Sequence, residues 1–69
     1  MDTWSESNYK AVLTLREQQV LELVIKELST GKISERLGIT NGTVKTHIRS
    51  IFSKLKIHSR AEAVRLYRH

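Results

Sequence analysis

The stretch that decides the fold of this chain is residues 29–56, which read STGKISERLGITNGTVKTHIRSIFSKLK. A short segment with helical apolar spacing ends at Leu37, and a longer one follows after Gly38, Ile39 and Thr40. A glycine directly after the last apolar residue is typical of a helix that ends in the left-handed conformation. The stretch therefore predicts two helices joined by a tight turn.

The second of these helices is predicted to bury one side and to expose the other. Its apolar residues recur at helical spacing, at Val44, Ile48, Ile51, Phe52 and Leu55. Its other side holds cations and short hydroxyls, at Lys45, Thr46, Arg49, Ser50 and Ser53. Such a surface suits the major groove of DNA, where the phosphates are anionic and the base edges accept hydrogen bonds.

Asn41-Gly42 offers an alternative, because this dipeptide is a strong signal for a β-hairpin when alternating strands flank it. Here the flanking residues follow helical periodicity and do not alternate. We therefore interpret Thr40 as the N-cap of the second helix, with Asn41 and Gly42 in its first turn.

Two further helices are predicted on either side of this stretch, and each begins with a sequence typical of a capping box. Thr14 to Glu17 predicts a helix over residues 15–27, with apolar residues at Val20, Leu21, Val24 and Leu28. Ser59 to Glu62 predicts the last helix, with Ala63, Val64 and Tyr67 on one stripe and Leu66 outside it.

Together these elements predict an all-α fold, a four-helix bundle-like domain with a central helix–turn–helix. The domain is expected to cover residues 13–69, with Ser29 as the N-cap of its short second helix. Residues 1–12 lack a clean pattern and are expected to form a partly ordered arm.

Charge is distributed unevenly along the 69 residues, whose net charge is +5. Residues 1–37 contain five Lys/Arg and six Asp/Glu, which gives −1, whereas residues 38–69 contain seven Lys/Arg and one acid, which gives +6. A half this basic is expected to favour a polyanion. The charge lies on the same segment as the predicted turn and second helix.

Several classes of function are disfavoured by the sequence. The chain has no cysteine, which excludes disulfides and thiolate metal sites. No nucleophile–base pair, carboxylate pair or phosphate-cradling loop is visible, so we expect neither an enzyme nor a cofactor. His47 has no acid or second histidine at ligand spacing on its helix, and we interpret it as a packed side chain rather than a metal ligand. No apolar run reaches the ~20 residues of a membrane span and no secretory signal is visible, so the cytoplasm is the expected location.

The turn itself has a specific spacing, with small Ser34 four residues before Gly38 and apolar Val44 six residues after it. With this spacing and its flanks, the chain from Leu13 to Leu66 resembles the LuxR/GerE-type helix–turn–helix domain. The resemblance is carried by Leu13-Thr14-x-Arg16-Glu17, Val20-Leu21, Leu28-Ser29, Ile33-Ser34-Glu35-Arg36-Leu37, Thr43-Val44-Lys45-x-His47, Ile51, Lys54-Leu55 and Ser59-Arg60-Ala61-Glu62-Ala63-Val64.

The resemblance implies four helices, of which the third reads double-stranded DNA and the fourth pairs two subunits into a homodimer. Base contacts are then expected from Lys45, Thr46 and Arg49, and phosphate contacts from Ser29, Lys32, Thr40, Asn41, Thr43 and Lys54. The dimer interface is expected at Ala63, Leu66 and Tyr67. RNA polymerase is a further candidate partner, and no small-molecule ligand is expected in this domain.

The sequence departs from the family pattern at three places. Glu27 stands where the family often has glycine, Gly31-Lys32 replaces a pair that usually includes an acid, and Gly42 replaces an acid in the first turn of the third helix. Lys32 adds a positive charge near a helix start, which the helix dipole opposes.

Two classes of function remain open at this stage. The first is a sequence-specific transcription regulator that binds DNA as a dimer, either as a stand-alone protein or as the effector domain of a larger response regulator or receptor. The second is a protein-interaction module, which pairs with a larger regulator to block it or docks on RNA polymerase as region four of a sigma factor does. The intact basic residues of the third helix favour the first class.

Overall fold

A computed structural model describes residues 11–68 of the chain, and these residues form four helices and no strand. Helix α1 spans Leu15–Ile25, α2 spans Thr30–Leu37, α3 spans Asn41–Leu55 and α4 spans Arg60–Tyr67. The prediction of an all-α domain with a central helix–turn–helix is confirmed. Residues 1–10, which make up most of the predicted arm, lie outside the described residues, whereas Ala11 and Val12 are helical.

Helix α1 is the central element, because it packs against each of the other three helices. Helices α2 and α3 also pack against each other. The core between them holds ten buried apolar side chains: Leu13, Val20, Leu21, Leu23, Val24, Ile33, Val44, Ile51, Ile57 and Ala63. Leu13 and Ile57 lie outside all four helices, so the helical patterns alone did not place them in the core. No helix within residues 11–68 is long and apolar enough to cross a membrane.

The starts of the helices follow the predicted caps. The Thr14 box is complete, because the Glu17 amide donates to Thr14 Oγ1 at 3.1 Å and the Thr14 amide donates to Glu17 Oε1 at 2.9 Å. Ser29 and Thr40 cap α2 and α3, which confirms both predictions and excludes the hairpin at Asn41-Gly42.

The predicted capping box at Ser59 is only half formed. Ser59 Oγ accepts from the Glu62 amide at 3.1 Å, as expected. The Glu62 carboxylate, however, accepts at 2.7 Å from the amide of His58, one residue before the N-cap. The Glu62 carboxylate thus binds the backbone of the loop that precedes α4 rather than the amide of the N-cap residue Ser59.

The predicted end of the first helix at residue 27 is wrong by two residues. Helix α1 ends at Ile25, because Glu27 takes a left-handed conformation with φ of 65°. The Glu27 amide donates to the Val24 carbonyl and the Leu28 amide to the Leu23 carbonyl, at 2.8 and 3.1 Å. These two bonds form a Schellman ending, which satisfies the last carbonyls of the helix.

Candidate nucleic-acid interface

The turn between α2 and α3 sets the direction in which α3 leaves the core. Gly38 is left-handed, with φ of 66° and ψ of 37°, and the Ile39 amide donates to the Ser34 carbonyl at 3.1 Å. Ile39 packs against the core, and Val44 is fully buried one turn into α3. The predicted left-handed ending at Gly38 and the predicted burial of Val44 are confirmed. Helix α3 is therefore anchored on one side and free on the other.

The free side of α3 carries the three residues predicted to contact bases. Lys45, Thr46 and Arg49 are all exposed, and they lie on adjacent turns of the helix. Within residues 11–68, none of the three side chains has a hydrogen-bond or ion-pair partner. Their donors are therefore available to an incoming ligand, and guanidinium and ammonium groups suit the O6 and N7 acceptors of guanine.

The N-terminus of α3 is the second component of this surface. Thr40 Oγ1 accepts from the Thr43 amide at 3.1 Å and lies 3.0 Å from Thr43 Oγ1, so the two hydroxyls are engaged with each other. Thr40, Asn41 and Thr43 are all exposed. The first turn of α3 contains no acid. Its free amides and the positive end of the helix dipole thus have no carboxylate to offset them, which favours an anion at this end.

The start of α2 contributes Ser29 and Lys32, both of which are exposed. Ser29 Oγ accepts from the Lys32 amide at 3.2 Å, while the Lys32 ammonium lies 3.9 Å from Glu35 Oε1. Both side chains of that ion pair are at least 70% exposed, so solvent screens it. The pair does not prevent Lys32 from turning toward a phosphate.

Ser50 lies in a different place from the one the sequence predicts, and Lys54 has a partner that the sequence does not indicate. The sequence predicts Ser50 on the free side of α3, but Ser50 is half-buried and its hydroxyl donates to Glu17 Oε2 at 2.7 Å. Lys54, a predicted phosphate contact, donates from Nζ to Glu17 Oε1 at 2.8 Å. Ser53 is exposed, as predicted. The direction of Ser50 and Lys54 is set by a carboxylate on another helix, which helical periodicity does not indicate.

Glu17 is thus the residue that the sequence pattern missed, because the capping box already accounted for it. Its side chain is only 7% exposed, and it is the one charged residue buried within the described part of the chain. Burial alone raises the pKa of a carboxyl group, but hydrogen bonds from Lys54, the Thr14 amide and Ser50, with the charge of Lys54, outweigh it. Together they lower the pKa of Glu17 from 4.5 to about 2. Glu17 is therefore ionised at neutral pH.

Helix α4 presents a small apolar surface at Leu66, which is 43% exposed. Tyr67 is half-buried, and burial raises the pKa of its hydroxyl. Ala63, which the sequence placed at a dimer interface, is fully buried inside the domain. It has no surface to offer a second subunit, because its methyl group faces the core formed with α1. That part of the predicted interface is corrected.

Arg60, at the start of α4, holds this helix to the connection between α1 and α2. Its Nη1 donates to the Leu28 carbonyl at 2.8 Å and its Nη2 donates to Thr30 Oγ1 at 3.0 Å. The guanidinium thus satisfies a loop carbonyl and fixes the entry to α2. The sequence had suggested only a place in a capping box for this residue.

Comparison with known families gives a match to the bacterial regulatory proteins of the luxR family over residues 11–67. The chain belongs to this family. The match spans all four helices, including the exposed side of α3. This is a helix–turn–helix DNA-binding domain of the kind found in transcriptional regulators, as the sequence resemblance implied.

Among curated relatives, this luxR-family chain is 49% identical over 55 residues to a protein of Aeromonas salmonicida whose name describes an HTH-type transcriptional regulator in the exeN 3′ region. It is 43% identical over 63 residues to the transcriptional regulatory protein DesR of Bacillus subtilis, and 43% identical over 51 residues to the nitrate/nitrite response regulator NarL of Escherichia coli. These alignments cover 80%, 91% and 74% of this chain.

The same alignments cover only 28%, 30% and 24% of the three relatives, so the chain spans less than a third of their length. The names of these relatives describe regulators and not enzymes. No solved structure gave a significant match.

The fold forms although the sequence departs from the luxR-family pattern at these positions. Helix α2 forms from Thr30 to Leu37 although Gly31 lies in its first turn. Glu27 takes the left-handed position in which the resemblance leads one to expect glycine.

Proposed function

We propose that this chain is the sequence-specific DNA-reading domain of a transcription regulator, with α3 in the major groove. The observation that carries the proposal is the unpaired, exposed group Lys45, Thr46 and Arg49 on a helix whose opposite side is buried. A good contact between such a side chain and a base edge contributes about 1–3 kcal/mol of discrimination. The proposed base contacts are these three residues.

Phosphate contacts are proposed at the ends of the two helices of the motif. The hydroxyls and amides at Thr40, Asn41 and Thr43 lie at the exposed, acid-free start of α3. Ser29 and Lys32 lie at the start of α2. Lys54, the remaining residue expected to contact phosphate, is not among the proposed contacts, because its ammonium lies 2.8 Å from Glu17 Oε1 although its side chain is 38% exposed.

We further propose that the domain acts as a dimer, because one recognition helix contacts few base pairs. Two half-sites about one helical turn (~34 Å) apart would double the contacts. Leu66 and Tyr67 on α4 are the proposed interface, because Leu66 is exposed. The neighbouring residue Arg65 is charged, so the apolar surface at this place is small. This small apolar area can support only a weak contact between two subunits in solution. Dimerisation is therefore expected to depend on DNA.

The alternative function, a module that pairs with a larger regulator or with RNA polymerase, finds less support in the geometry. Such a module has no need of unpaired cations on a helix that follows a turn. The two functions are separated by adding random-sequence duplex DNA to the purified chain and amplifying the bound fraction over several rounds. Enrichment of one motif supports DNA reading, and binding to RNA polymerase without any enrichment supports the alternative.

A further inference from the structure

One carboxylate joins the start of α1 to the last two turns of α3. Glu17 Oε2 accepts from the Ser50 hydroxyl at 2.7 Å, and Oε1 accepts from the Lys54 ammonium at 2.8 Å and from the Thr14 amide at 2.9 Å. Ser50 and Lys54 are four residues apart and so lie on the same side of α3. Glu17 itself is fixed to the backbone of α1 by the capping box. The carboxylate therefore holds α3 at two points from a rigid base.

Apolar packing fixes which side of α3 faces the core, and directional hydrogen bonds add a restraint on the rotation of α3 about its own axis. Ile51 is buried, and Phe52 and Leu55 pack against the core, but apolar contacts have little directional preference. A rotation of about 20° moves atoms on the helix surface, about 5–6 Å from the axis, by about 2 Å. A base contact tolerates only ~0.5 Å and ~10–20° before it is lost. Hydrogen bonds of 2.7–2.8 Å to a fixed acceptor oppose such a rotation.

The contact with Glu17 also pairs the ammonium group of Lys54, at the end of α3, with a carboxylate. Lys54 is the member of this pair that could reach a phosphate, yet its charge is balanced at 2.8 Å by a carboxylate that is 7% exposed. Lys45 and Arg49, by contrast, have no partner within residues 11–68. Within α3, the unpaired lysine and arginine side chains thus lie on the first three turns.

We propose that Glu17 is a positioning residue for DNA reading: its carboxylate sets the rotation of α3 through Ser50 and Lys54, and it keeps Lys54 off the phosphates. This inference rests on the proposed function, in which Arg49 and Lys45 contact bases. A merely structural role for Glu17 would affect stability and would reduce all DNA binding in parallel. A positioning role changes discrimination, and the two are separable by experiment.

The test compares the wild type with Glu17→Gln, which keeps the shape and one carbonyl oxygen but removes the charge. Affinity is measured for the selected duplex and for a scrambled duplex, at several salt concentrations and well below the melting temperature of each protein. We expect the ratio of the two affinities to fall about tenfold, the loss typical of one well-aligned base contact. Affinity for the scrambled duplex should be kept or raised, and its log–log salt slope should steepen by about 1, because Lys54 is released.

Matched variants show whether a change in the affinity ratio comes from the lost contacts of the Glu17 carboxylate or from a weaker helix end. Thr14→Ala removes the hydroxyl of the same capping box and weakens the same helix end, but it leaves every hydrogen bond to the carboxylate. Its affinity ratio should equal that of the wild type. The double variant Glu17→Gln/Lys54→Met should lose discrimination without the steeper slope. If Glu17→Gln does not fold, Ser50→Ala carries the test through the affinity ratio, since it removes one hydrogen bond and no charge.

An unchanged ratio in Glu17→Gln, or an equal fall for both duplexes, would overturn the positioning role. A slope that stays at the wild-type value would overturn the claim that Lys54 is kept off the phosphates. If the wild type itself binds both duplexes equally, it is the proposed function that fails.

Discussion

Glu27 and Gly38 both have a left-handed backbone, with nearly equal φ of 65° and 66°. Each residue follows the last turn of a helix, α1 or α2, and each allows the next amide to donate back to a carbonyl five residues earlier. Glycine adopts this left-handed region without steric cost, whereas a residue with a Cβ atom loses about 1–2 kcal/mol there. The same geometry is thus reached without strain at Gly38 and with strain at Glu27.

Glu27→Gly is therefore expected to stabilise the domain by about 0.5–1 kcal/mol, the relief of strain less the extra chain entropy that glycine loses on folding. The change also removes the ion pair between Glu27 Oε2 and Arg68 Nη1 at 2.9 Å. Both side chains are more than half exposed, so that pair contributes little. Urea denaturation measures the difference directly.

Two control variants separate the effect of backbone strain from that of the lost ion pair. Glu27→Ala loses the ion pair and keeps the strain, so its stability should stay near that of the wild type. Gly38→Ala should destabilise the domain, although nothing lies within 4 Å of the added Cβ, because φ of 66° is strained for alanine. A Glu27→Gly protein no more stable than Glu27→Ala would contradict the argument from conformation.

Stability should depend on pH through Glu17. Its pKa is lowered in the folded state from 4.5 to about 2, so the unfolded chain binds the proton more tightly. The stabilisation is therefore complete above about pH 4.5 and is lost as the pH falls toward 2. It amounts to roughly 3 kcal/mol. Denaturation curves recorded from pH 6 to pH 2 should show this loss in the wild type, and the Glu17→Gln protein should show a flatter dependence in the same range.

Neighbouring residues on α3 should act in different ways. Val44 is fully buried, so Val44→Ala is expected to cost about 2 kcal/mol of stability through lost burial and a small cavity. Lys45 is exposed and unpaired within residues 11–68, so Lys45→Ala should leave the melting temperature unchanged and weaken DNA binding. Thermal denaturation and a binding titration on both proteins check the separation. A stable Val44→Ala protein with lost binding would argue against it.

The proposed dimer makes Leu66 important only when two half-sites are present. Leu66→Glu should lose cooperative binding to a palindromic duplex and should keep the affinity for a half-site. Mobility shifts on full and half sites measure both quantities. Independent occupancy of the two half-sites by the wild type would count against the dimer.

Local patterns predicted most of the fold, because caps, turn glycines and apolar spacing act within a few residues. They placed the starts of all four helices and the burial of Val44 and Ile51 correctly. They did not indicate the contacts of Ser50 and Lys54 with Glu17, because this carboxylate is more than thirty residues away in the chain. The resemblance, and not the local pattern, led us to expect Ala63 at a dimer interface, but Ala63 is fully buried inside the domain.

The central claim, that the exposed side of α3 reads DNA sequence, is tested most directly by comparing Arg49→Ala with Arg65→Ala on a half-site duplex. Both changes remove one exposed arginine and one positive charge, and a half-site leaves α4 unpaired. Each affinity is measured for the selected half-site and for a scrambled one. The account predicts that Arg49→Ala lowers the ratio by about tenfold and that Arg65→Ala leaves it unchanged. Equal ratios in the two variants and the wild type would contradict it.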